Sequence, residues 1–304
     1  MHRIICILAF VTLTVSSCKA QKLPSGDGYL ECFEMPAADI TENTRKGFVQ
    51  ETYGGSYAYT YDVADSSRLV IHTFIDNKVH RNYSLIYDYR RHCPLWVAYH
   101  MNKGYCSCEG ERTNAWSCDP AVSSHMQPDL SRSYCKGGDP YNRGHMLSSH
   151  ARTGIRVANQ QTFYFTNMVP QLSATFNCGG SCWDALEDAE IAAAPYGRDT
   201  LYVVTGCIFE DSHKTVKNRN DGIDCAVPDS FFKCYMKCSF DSSGTVTSAK
   251  AIGYIIPHNA PKNTYYSRYA ASIDKIESIT GWDFFANVPK AIQEKAEATM
   301  TKIL

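Results

Sequence analysis

Three runs of strand length, RLVIHTFI from Arg68, NYSLIYDY from Asn82 and LWVAYHM from Leu95, succeed one another with only short polar or proline-containing breaks. β-Branched and aromatic residues in such blocks suit a pleated, buried surface, and short breaks leave neighbouring strands little choice but to run antiparallel. Further strands are read in QTFYFTNMVPQ, ending at Pro170, and in DTLYVVTGCIF, SFFKCYMKCSF and AKAIGYIIP. Helical spacing is confined to two places. In CWDALEDAEIAAA, Trp183, Leu186 and Ile191 share a face and Pro195 and Gly197 stop the helix, while YAASIDKIESIT ends at Gly281. The expected class is α+β, a central, mostly antiparallel sheet with helices packed on it. With 304 residues, 44% of them hydrophobic, the chain has material for one large core. That domain is expected over residues 66–304, behind a polar, Gly/Ser-rich extension at 19–65.

MHRIICILAFVTLTVSSC reads as an export leader: Arg3 in a short positive head, an apolar run too short to span a bilayer, then small residues. VSSC resembles a permissive bacterial lipobox, which makes residues 1–17 a signal peptide and Cys18 a lipid-bearing anchor in the cell envelope, at the outer membrane. A soluble periplasmic or secreted form cleaved after Ala20 is the alternative. Twelve cysteines follow Cys18, and an even number behind an export leader favours a disulfide-rich domain, with the pairing left open. Neither Cys106-Ser-Cys108 nor Cys178-Gly-Gly-Ser-Cys182 has the paired CxxC spacing of structural zinc, and thiol exchange at the first is a lesser reading. The formal charge of −1 excludes a global basic field, so a polyanion must be met by a local patch, for which Arg143, Arg152, Arg156 and Lys233 are available.

YNRGH, residues 141–145, sets a guanidinium, a glycine and an imidazole in a row. The first is a planar fork for phosphate and the last a base that works near neutral pH. Downstream stand Asn167, Gln171 and Asn177, then Trp183 and Glu187, four apart and so on one helical face. An amide oxygen is a hard donor suited to magnesium, which keeps most of its own water and needs few protein ligands beside a phosphate. Together these are the parts of phosphodiester hydrolysis.

The same residues resemble the DNA/RNA non-specific endonucleases of the ββα-metal fold, whose pattern runs Asp-Arg-Gly-His, Asn-x-x-Pro-Gln, a further Asn, then Trp-x-x-Leu-Glu on a helix. This chain has Asn142-Arg143-Gly144-His145, Asn167-Met168-Val169-Pro170-Gln171, Asn177 and Trp183-Asp184-Ala185-Leu186-Glu187. The likeness continues in VVTGCIF, VPDSFFK, GYIIPHN and IDKIESITGWDFF and covers most of residues 66–289. It implies a magnesium-dependent enzyme, with manganese as a substitute, that cuts DNA and RNA and leaves 5′-phosphates. It makes His145 the general base, Asn177 the metal ligand and Glu187 a carboxylate of the metal's outer shell. Arg143, Gln171 and Arg156 are then substrate-binding residues, Arg143 also belongs with the catalytic group beside His145 and Glu187, and so does Asn167 by fixing the site.

Two departures stand out. Asn142 replaces the usual Asp, and Ile191 stands where an arginine commonly clamps phosphate; Arg156 and Arg198 are the cations available to replace it. The CGGSC insert suggests a disulfide tying down the metal-ligand loop. The departures make an envelope-anchored binding module on a weakened nuclease fold the alternative function, and a phosphodiesterase acting on small nucleotides is a third reading, separated from the first by substrate size. Homodimer formation and an inhibitor partner are left open by the sequence.

Overall fold

The computed structural model describes residues 26–304 except 39, 41–45, 107–109, 135–139 and 197–199, so the leader, Cys18, Cys108, Cys135 and Arg198 lie outside the described residues. Nine strands form one antiparallel sheet in the order β1 (Lys46–Gln50), β2 (Tyr57–Ala64), β3 (Ser67–Asp76), β4 (Lys78–Asp88), β5 (Cys93–Met101), β8 (Leu201–Ile208), β11 (Ser230–Phe240), β12 (Val246–Pro257) and β13 (Ala270–Ala271). A separate hairpin pairs β6 (Tyr141–His145) with β7 (Met168–Leu172), and β9 (Thr215–Lys217) pairs with β10 (Asp224–Ala226). The described residues also form four α-helices: α1 (Arg156–Gln161), α2 (Cys182–Ala193), α3 (Ile273–Thr280) and α4 (Lys290–Glu297).

Alternate residues of the central strands feed two cores. Tyr83, Leu85 and Tyr87 of β4, with Val97, Tyr99 and Tyr235, pack on one face beneath α2 and the segment after the β6–β7 hairpin. Leu69, Ile71, Ile86, Trp96, Val204 and Phe232 pack on the other, against Ile273 and Ile276 of α3, Ala296 of α4, Phe284 and Phe285. A sheet covered on both faces has little use for polar alternation, which is why these runs read as almost continuously apolar.

Residues 46–64, expected to lie in an extension ahead of the domain, instead supply β1 and β2 of the same sheet. Met35 is buried in the second core, and Glu34 pairs with the buried Arg81. Just after β1, the buried Glu51 reaches the His72 ring, with Oε1 at 2.5 Å from Nδ1, while Asp119 Oδ2 lies 3.0 Å from Nε2. Burial alone would lower the pKa of His72, but Asp119 and Glu51 together hold it up to about 10, so the ring is an imidazolium between two carboxylates.

Further expectations need correction. The strand near Pro170 does not stop there but runs to Leu172, and much of the run before Asn167 is helical turn. None of the ten described cysteines is bridged, Cys178 and Cys182 included. Most are packed as small apolar side chains, with burial pushing their thiols upward, as at Cys93 and Cys234. Asn82, the first residue of an Asn-x-Ser sequon, is wholly buried and bonded to Ala158 and Gln161, out of reach of glycosylation in the folded protein.

Candidate active site

The β6–β7 hairpin and α2 enclose a cavity of about 350 Å³. Its walls hold Asn142, Arg143 and His145 from β6, Gln171 from β7, Asn177 from the following loop, and Trp183, Asp184 and Glu187 from α2. Hairpin register sets Asn142 opposite Gln171 and Gly144 opposite Val169. A Cβ on Gly144 would fall about 2.1 Å from the Gln171 side chain, so only glycine lets that amide cross the strand. At the far end of β7, His258 Nε2 accepts from Leu172 N at 2.8 Å while Nδ1–H donates to Pro228. Burial drives His258 down to about 4, which keeps it neutral in this role.

Asn167 is fully buried behind the cavity and does not line it. Its Oδ1 accepts from Leu147 N at 2.9 Å, and its Nδ2 donates to Leu147 O and Thr162 O. It therefore pins the backbone that leaves His145 and touches nothing in the cavity, which corrects its placement among the catalytic residues. Across the hairpin, Asn142 Nδ2 donates to the Asn177 carbonyl at 3.2 Å, and Asn177 N–H donates to Leu172 O at 2.8 Å. The departure from Asp thus supplies a donor that an ionised carboxylate lacks.

His145 lies against Trp116 and Phe163, with ring centroids at 5.4 and 5.0 Å, and its Nε2 has no hydrogen-bond partner among the described residues. Burial, then the charges of Arg112, Arg143 and His150, hold its pKa well below the ordinary histidine value. The ring is a neutral acceptor at pH 7. Glu187 moves the other way. Burial outweighs the nearby Lys233, and Glu190 and Asp184 add to the effect, so its carboxyl is raised to about 7.

Arg143 stacks over Trp116 at 3.6 Å and donates to the carbonyls of Leu130 and Ser131. A second guanidinium, overlooked in the sequence, faces it: Arg112 lies over Phe163 at 4.8 Å and donates to Ser149 Oγ. Among the described residues neither arginine pairs with a carboxylate. The cations expected to complete the patch are elsewhere. Arg152 is buried and bonded to Asn82 and His100, and exposed Arg156 at the start of α1 does not reach the cavity. Lys233 is buried on Glu190 at 2.8 Å, where Tyr99 and Tyr235 also donate, and so anchors α2 to the sheet. Ile191 packs into the first core, and Lys103 Nζ donates to its carbonyl at 2.6 Å.

A sequence model of the DNA/RNA non-specific endonucleases matches residues 64–291. The chain belongs to this family. Among relatives, this endonuclease is 29% identical to a nuclease of Nostoc sp. over 226 residues, 72% of this chain and 77% of that protein. It is 26% identical to mitochondrial endonuclease G of Caenorhabditis elegans, covering 72% and 71% of the two chains. A nuclease of Serratia marcescens is 24% identical, covering 65% and 70%. In fold, the endonuclease superposes on a chain from a crystal structure of an EndoG/EndoGI complex with a TM-score of 0.55 at 22% identity, covering 72% of this chain and 89% of that one. The antiparallel sheet and the hairpin followed by α2 are thus the ββα-metal nuclease arrangement.

Proposed function

We propose that this endonuclease hydrolyses phosphodiester bonds in both DNA and RNA, using magnesium, or manganese in its place, held at Asn177, and that it leaves 5′-phosphate ends. The observation that carries the reading is His145: a neutral imidazole with a free Nε2, in a cavity walled by two guanidiniums that lack carboxylate partners among the described residues. His145 would take the proton of a water attacking phosphorus, and Arg112 and Arg143 would hold the non-bridging oxygens. The residues fit a lightly held hard cation, because an amide oxygen at Asn177 and the Glu187 carboxylate line the same cavity. When bound, that ion supplies positive charge against the phosphorane and the departing 3′-oxygen. Asn142 and Asn167 set the positions of Asn177 and His145, and Gln171, whose buried Nε2 has no partner among the described residues, has a donor to offer substrate. Contacts of this kind read the backbone rather than base edges, in keeping with a non-specific enzyme. The leader at residues 1–17, followed by Cys18 as the lipid-bearing residue, supports an exported, envelope-anchored location.

The test is cleavage of supercoiled plasmid and of a folded RNA by mature protein, with magnesium or with chelator, beside Asn177→Ala. Cutting of both substrates that needs the metal and is lost in the variant is the expected result. Absence of cutting from pH 6 to 9 would leave the binding-module reading in its place. A separate expectation concerns Arg112: a charge-assisted hydrogen bond is worth about 1.5–3 kcal/mol, so Arg112→Ala should lower kcat/KM by roughly 10- to 100-fold. Arg112→Lys should recover only part of this, because it lacks the planar fork. Steady-state assays on a short duplex read the difference.

A further inference from the structure

The opposite face of the sheet carries a buried carboxylate that the reaction does not use. Helix α4 buries Gln293, Ala296 and Glu297, so a glutamate occupies the stripe that faces the core. Glu297 is only 3% exposed, and its Oε1 has no hydrogen-bond partner among the described residues. Ionised side chains are seldom buried unless they are paired, and the charges that bear on this one are the carboxylates of Glu277, Asp283 and Asp274, beside the neutral Gln293 amide. One carboxylate oxygen each from Asp274, Glu277 and Glu297 comes within 4.8 Å of the others, at a cavity of about 240 Å³ that Asp283 also lines. Lys290, at the rim, is well exposed and leans toward Glu294 instead.

We propose that Asp274, Glu277 and Glu297 form a second cation site, separate from the nuclease cavity, that takes a divalent ion preferring oxygen donors, calcium above all, and clamps α4 to α3. Several carboxylates on two helices suit calcium, which accepts six to eight oxygens in flexible geometry, better than magnesium with its strict octahedron. With no cation, burial and the neighbouring carboxylates raise Glu297 to about 9, and Glu277, by burial first, to about 7. A bound cation would take over the proton's role of neutralising the cluster. Asp274 is exposed on α3, and Glu277 Oε1 already accepts from Phe284 N, so the site is partly built by the turn between the helices.

The experiment is thermal unfolding of chelator-treated protein with and without calcium chloride, in the Asn177→Ala background so that the nuclease cavity does not contribute, with calorimetric titration alongside. At a hundredfold excess over Kd, calcium should raise Tm by about 5 °C, and the titration should read one site. Both effects should vanish in Glu297→Gln, which keeps the shape of the protonated acid, and in Asp274→Asn, which alters only an exposed side chain. No calcium-dependent shift in the Asn177→Ala protein, or a shift undiminished in both further variants, would overturn the proposal.

Discussion

Replacing His145 with alanine is expected to lower cleavage of DNA and RNA by about a thousandfold, within the range that a positioned general base contributes. Neither Arg112 nor Arg143 can take over, since a guanidinium does not accept a proton near neutral pH. The ring also fills space between Trp116 and Phe163, so near-ultraviolet circular dichroism of the variant must stay native for the comparison to hold. The pH profile adds a sharper test. His145 is held well below the ordinary histidine value and stays unprotonated through the neutral range, whereas Glu187 titrates at about 7. Activity should therefore fall as pH drops through about 7, through protonation of Glu187, with bound metal shifting that limb to lower pH. Glu187→Gln, though slow, should lose the limb. An acid limb unchanged in that variant would return the titration to another group.

A large loss of stability, about 3–5 kcal/mol, is expected from His72→Ala, because it leaves Glu51 and Asp119 as two buried and unpaired carboxylates. Urea unfolding at pH 7 measures it, and adding Glu51→Gln to the variant should recover part of the loss. The pH dependence has a definite sign. His72 is raised from 6.5 to about 10, so its contribution is fully present below about 6.5 and is lost as pH rises through about 10. Wild-type protein should accordingly lose stability progressively between about pH 6.5 and 10, a slope that the variant lacks.

The central strands were legible in the sequence because both faces of the sheet are buried and their runs are mostly apolar. β1 was not: KGFVQ lies at the sheet edge and is mostly exposed, so no periodicity marks it, and only its pairing with β2, from Lys46 opposite Tyr61 to Gln50 opposite Tyr57, brings it into the fold. His145, Arg143, Gln171, Asn177 and Glu187 could be picked out because a single hairpin, its loop and one helix carry them, so short sequence spacings hold the geometry. Arg112 and Trp116 come from an aperiodic loop more than twenty residues upstream, and only tertiary packing delivers them to the cavity. Arg152 and Lys233 misled for the opposite reason. Charged residues are exposed by default, and nothing near them in the chain announces Asn82 or Glu190 as the partner that allows burial.

Both halves of the proposed chemistry are referenced to one two-stranded ribbon: His145 stands at its end, where Asn167 pins the outgoing backbone, and Asn177 is tethered to it through Asn142. The ribbon works as a fixed gauge. In the proposed reaction it would set the span from the attacking water across phosphorus to the cation, a length that would be the same whether the adjoining sugar carries a 2′-hydroxyl or not. Tolerance of both nucleic acids then needs no adaptable pocket. It follows from gauging the one dimension the two polymers share.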